Sequence, residues 1–84
     1  MDEYNNNNYN NYNNNNFNNR GAIFQLLLRL NPGADVEDVF INGIEEAVES
    51  FASFNPQSGL AIFVKENGDI LAVDYRRIDA LEFN

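Results

Sequence analysis

Apolar and polar positions change their spacing along the chain, and the changes mark out the elements. From 23 to 30, Ile23, Leu26, Leu27 and Leu30 recur at i, i+3, i+4 and i+7, one face of an amphipathic helix. Phe24 and Leu28 widen that face. Asn31-Pro32-Gly33 ends the element, because Pro32 disfavours helical geometry at Asn31 and Gly33 permits positive φ. A strand over residues 23–30 is the competing reading; length does not separate the two, and the spacing favours the helix. Beyond this block the period falls to two. Residues 36–44 form a first strand, with Val39 and Ile41 on one face and Phe40 on the other. Residues 47–54 form a second, in which Val48, Ala52 and Phe54 share a face and Phe51 points away. The Pro- and Gly-containing segment 55–59 is a turn. Residues 60–65 are apolar on both faces, the pattern of a central strand. Asn67-Gly68 predicts a tight primed hairpin turn into a fourth strand, 70–75. Residues 76–78 leave room only for a tight turn before a last strand, 80–83. The expected fold is mainly β: a five-stranded antiparallel barrel with an N-terminal helix, whose closure removes exposed sheet edges.

Residues 1–19 follow no such pattern. They hold 12 of the 17 Asn, interrupted by Tyr4, Tyr9, Tyr12 and Phe17, with Asp2 and Glu3 as their charges. Asn is a poor former of helix and strand, and four spaced rings bury too little area to offset chain entropy. This segment is expected to be a disordered tail, separate from a folded domain at 20–84. A solvated tail and a strand docking on a neighbouring subunit are two of its possible roles. Its composition supports a third, an assembly segment in which amides and rings stick to one another.

Charge narrows the chemistry. The formal net charge is −8, and the sequence pI is near 4.1. All five bases and 11 of the 13 acids lie in residues 20–84, a balance that argues against wholesale phosphate binding. With no Cys and no His, thiolate and imidazole ligands, a Cys nucleophile and the usual neutral-pH base are all absent. Glu45, Glu46 and Glu49 lack the spacing of a calcium loop and read as a solvated face, as do Asp35, Glu37 and Asp38. The separated glycines do not make a phosphate-cradling loop. Phe51, Phe54, Phe63 and Phe83 alternate as core residues more readily than as base-stacking platforms. Arg76 and Arg77 form the one basic pair; Asp74 and Asp79 flank it, so local ion pairing competes with any role in binding. No catalytic residue, metal or cofactor is assigned. The polar N-terminus has no apolar stretch of a signal peptide, and no apolar run approaches a membrane span. Synthesis in the cytoplasm and no membrane partner are the expectations.

Three motifs in order resemble the Sm-like proteins, especially the Hfq-type RNA chaperones. Phe40-Ile41-Asn42-Gly43-Ile44 resembles the end of that family's first strand, Val48-Glu49-Ser50-Phe51 its bent second strand, and Tyr75-Arg76-Arg77-Ile78 its late motif. The preceding apolar helix matches as well, so the resemblance spans residues 22–83. It implies an SH3-like or Sm-like barrel and, as one function, an RNA-binding ring using Tyr75, Arg76 and Arg77. The late motif of the chaperones holds Lys-His where this chain has Arg76-Arg77, and the acidic surroundings oppose an RNA path. In composition, an Asn/Tyr-rich tail on a small cysteine-free barrel also resembles structural proteins of the bacterial endospore coat. Together these favour a self-assembling or scaffold protein deposited on the spore surface, a homo-oligomer or filament in contact with other structural proteins. The Hfq-type RNA-binding ring is the alternative.

Overall fold

The apolar block at 23–30 is a helix, α1 (Ala22–Arg29), in the computed structural model, which describes residues 20–84. Its buried stripe is rotated from the predicted one. Phe24 and Leu27 are fully buried, Ile23, Leu26 and Leu30 are half-buried, and Leu28 is 39% exposed. The cause is aromatic packing. The Phe24 ring meets Phe54 edge-on at 5.2 Å and Tyr75 at 5.0 Å, so Phe24 becomes the centre of the face. Leu30 leaves the helix in extended geometry while its N–H still donates to the Leu26 carbonyl at 3.2 Å.

Six strands follow: β1 (Asp38–Ile41), β2 (Ile44–Ala47), β3 (Ser50–Asn55), β4 (Leu60–Val64), β5 (Ile70–Asp74) and β6 (Ile78–Glu82). A 3-10 turn, Tyr75–Arg77, links the last two. They form two antiparallel three-stranded sheets, ordered β2-β1-β6 and β3-β4-β5. The fold is thus mainly β with one helix. The ladders among the described residues do not close into the expected five-stranded barrel, and the strand count differs.

Two local features account for the difference. The predicted strand 36–44 breaks at Asn42-Gly43, where φ is 53° and 84°. Positive φ at both residues is what a type I′ turn requires, and β1 folds back there as β2 with Ile41 opposite Ile44. The second feature is a corner. The Val48 N–H donates to the Glu37 carbonyl, beside β1, at 2.9 Å; the next N–H, of Glu49, donates to the Val64 carbonyl of β4 at 2.7 Å. The chain changes sheets between adjacent residues.

That corner, and a register shift between Phe51 and Ser53, also overturn the predicted alternation of residues 47–54. Phe51 points inward, not away, and meets Phe63 at 5.8 Å. As predicted, β4 is the central strand of its sheet. The β4–β5 connection at Asn67-Gly68 is a hairpin, but not a primed turn: of the pair, Gly68 alone has positive φ. The Gly68 N–H donates to Lys65 O and the Lys65 N–H to Asp69 O, the pattern of a three-residue loop with a glycine bulge. The core is one cluster fed by both sheets and the helix, with Leu27, Val36, Val39, Phe51, Ala61 and Phe63 most deeply buried. Each large apolar side chain there contributes about 1.5–3 kcal/mol. Phe83, expected in the core, is 41% exposed beyond the end of β6.

Candidate functional site

Tyr75, Arg76 and Arg77 share the 3-10 turn, yet the turn gives them different roles. Asp74 caps it: its Oδ1 accepts from the Arg76 N–H at 2.9 Å and lies 3.3 Å from Arg76 Nε. The Arg76 guanidinium also stands 5.1 Å from the centre of the Tyr75 ring. Arg76 is therefore tied to its own loop, by an exposed ion pair that contributes only about 0–1 kcal/mol. Tyr75 is half-buried against Phe24 and, at 6.0 Å, Phe54, so one side of its ring is structural. Arg77 fixes the turn through its backbone, the carbonyl accepting from the Asn42 N–H at 3.1 Å. Its side chain is exposed and makes no ion pair with the described residues.

Gly59 sets how closely the loops approach. A β-carbon there would lie 3.0 Å from Tyr75 Cδ2 and 3.1 Å from an Arg76 guanidinium nitrogen. A shallow cavity of about 280 Å³ opens beside Tyr75 and Arg76, with Arg20 and the start of α1 on its other side. Arg20 donates to the Pro56 carbonyl at 3.1 Å and sits over the Phe24 ring at 5.2 Å. Two of the three arginines near this turn are thus already held by the protein.

The free sheet edges are the larger feature. Among the described residues β5 pairs with β4 alone and β6 with β1 alone. Natural sheets blunt such edges with lysine, proline, bulges or a covering element. β5 (Ile-Leu-Ala-Val-Asp) has no lysine, proline or register shift along its length, and Ile70 at its start is 62% exposed. The sequence leads to an expectation of assembly through exposed edges of the first or last element, and β6 is the last element; that β5 also has an unpaired side runs against the expected barrel closure.

The acidic face departs from expectation too. Glu45, Glu46, Glu49, Asp35 and Glu37 lie at the surface, Glu46 pairing with Lys65 at 3.5 Å. Asp38 does not: it is 7% exposed, the one buried charged residue among those described. Antiparallel register sets it opposite Glu82 and diagonal to Glu45. The Asp38 charge beside Glu45, and a hydrogen bond between the two carboxyls, push the Glu45 pKa up. Glu82 is raised as well, first by its hydrogen bond with Asp38 and then by partial loss of water. Period-two spacing within a strand places Asp38 on the face opposite Val39, but which strands lie alongside it depends on register.

The predicted assembly residues Tyr4, Tyr9, Tyr12 and Phe17 lie outside the described residues. No described helix is long and apolar enough to cross a membrane. Compared with known proteins, the chain matches no family model, no curated protein and no solved structure.

Proposed function

We propose that this chain is a structural, self-assembling protein. The observation that carries the reading is that β5 and β6 each pair on one side only among the described residues, β5 without a lysine, proline or register shift along its length. An unpaired edge offers backbone N–H and C=O groups to another chain, and two edges per molecule let the pairing propagate into a ring or fibre. In this reading β2 and β3 are the halves of one bent strand, turned at Val48-Glu49. The domain is then Sm-like, with α1 covering one end. The Asn/aromatic tail adds weak contacts that multiply along the assembly. Its composition is what supports a place in an endospore coat.

The Hfq-type alternative rests on Tyr75, Arg76 and Arg77, and Arg76 is already committed to Asp74 and Tyr75. Salt separates the two readings. RNA binding weakens steeply as salt rises, whereas assembly through strands and rings persists. The test is light scattering of the full chain at low and high salt, beside titration with short A- or U-rich RNA. Assemblies that persist at high salt support the proposal. Sub-micromolar RNA binding that Arg77→Glu abolishes, with no assembly, contradicts it.

A further inference from the structure

The outer face of the β3-β4-β5 sheet carries a run of aliphatic side chains that the core does not take up. Strand alternation sends Ala61, Phe63 and Val73 inward, and Leu60, Ile62 and Val64 of β4 outward with Ile70 and Ala72 of β5. Register makes these five residues neighbours. Ile62 stands opposite Ala72 and Val64 opposite Ile70, with Ser53 and Ser50 of β3 on the other side of the two β4 residues. Leu60 lies in the next row, between Asn55 of β3 and Asp74 of β5, and Asp74 is engaged by Arg76. Leu60 and Ile70 are 41% and 62% exposed; Ile62 and Val64 are half-buried but lie outside the core cluster. Single exposed apolar residues are ordinary, whereas an adjoining group of them marks a contact surface.

The point at which the chain enters the domain says what covers this face. Residues 1–19 precede the described residues, and Arg20 is fastened to the β3–β4 turn by a hydrogen bond to the Pro56 carbonyl at 3.1 Å. The segment therefore arrives at the end of the sheet where Asn55 pairs with Leu60. An extended chain spans at most about 3.6 Å per residue, so Phe17 reaches about 11 Å from Arg20 and Tyr12 about 30 Å. The five residues of β4 extend about 17 Å, well inside that range. Residues 4–19 carry no charge, and neither do the five aliphatic residues. A second copy laid on the face brings another strongly acidic domain against this one; the segment does not.

We propose that Tyr9, Tyr12 and Phe17 dock on the outer face of β4 and β5 in the same molecule, covering Leu60, Ile62, Val64 and Ile70. The covalent tether supplies an effective concentration in the millimolar range, so weak contacts between rings and aliphatic chains suffice. The rings make the contact, which leaves the Asn amides between them available to other copies. The face is distinct from the backbone edge of β5, and the docking does not depend on the assembly reading.

Because the chain has no Cys, two introduced thiols report on their own approach. In the full chain, Asn10→Cys/Ser53→Cys sets one thiol between Tyr9 and Tyr12 and the other on the outer face, on exposed Ser53 opposite Ile62. Asn10→Cys/Ala80→Cys moves the second thiol to an exposed position on β6, in the other sheet. Both proteins are treated at low concentration with a short bis-maleimide, and a denaturing gel with mass analysis separates links within a molecule from links between molecules. The Ser53 pair closes within one molecule at least about 10-fold faster than the Ala80 pair. Adding Tyr9→Ser/Tyr12→Ser/Phe17→Ser removes this preference while the circular dichroism spectrum of the domain is kept. Ile62→Thr/Val64→Thr, which retains branched side chains suited to a strand, also lowers it. Equal closure rates for the two pairs, a preference that survives loss of the three rings, or a Ser53 link that forms only between molecules overturns the proposal; the last result assigns the face to another copy.

Discussion

Gly59 shows how one residue can hold a loop arrangement. Its φ of +86° suits glycine, and its missing side chain lets Tyr75 and Arg76 close over it. Gly43 has nearly the same φ, +84°, but nothing stands within 4 Å of a β-carbon built there. Gly43→Ala therefore meets backbone strain alone, about 1–2 kcal/mol. Gly59→Ala meets that strain plus contact with a ring anchored in the core, so chemical denaturation should show the larger loss for Gly59→Ala. Glu45 and Glu82 make a second prediction at this scale. Each carboxyl has a native pKa raised above its ordinary value of 4.5. The native state therefore binds more protons than the unfolded chain between 4.5 and the raised value, and stability falls as pH climbs through that window. Thermal unfolding should show the melting temperature dropping from pH 4.5 upward, with a flatter profile in Glu82→Gln. Unchanged slopes in that variant would contradict the shared-proton contact with Asp38.

Elements were legible in proportion to how local their causes are. The helix could be read because Ile23, Leu26, Leu27 and Leu30 repeat at its period, and β4 because apolar residues on both faces demand cover on both sides. What failed depended on partners far along the chain. Phe24 dominates its helix because Phe54 and Tyr75 meet it, which no spacing within 22–29 reveals. The two Asn-Gly pairs were both visible, yet the primed turn formed at Asn42-Gly43 while Asn67-Gly68 became part of a longer loop. The buried Asp38 was read as solvated because its burial comes from neighbouring strands, not from its own segment. Of the candidate site, local ion pairing of the arginines was legible, with Asp74 and Asp79 both candidates; Asp74 takes Arg76 while Asp79 accepts from the Gly43 N–H, and the unpaired side of β5 was not legible because closure was expected. One substitution tests the element-level account of the core. Phe24→Ala should cost about 3–5 kcal/mol. A domain of this size has roughly 3–10 kcal/mol in total, so circular dichroism should show α1 lost or the cooperative transition abolished. A loss under about 1 kcal/mol would mean that α1 is not held by the aromatic trio.

At the scale of the molecule, a small core sits between two sheets that leave strand edges open, under a strongly acidic surface. A core this small is marginal alone, and pairing an edge with another copy is a route to added stability. The acidic charge keeps random encounters apart, so the proposed self-assembly would run through specific edges. Ile70 and Ala72 face solvent on β5, where a lysine blocks edge pairing without disturbing buried residues. The most direct measurement of the central claim is light scattering with negative-stain imaging of the full chain beside its Ile70→Lys/Ala72→Lys variant. The parent should form rings, fibres or other closed or extended assemblies, and the variant should fall to monomer while keeping its circular dichroism spectrum. A parent that stays monomeric at every concentration and salt, or a folded variant that assembles as well as the parent, would contradict assembly through β5.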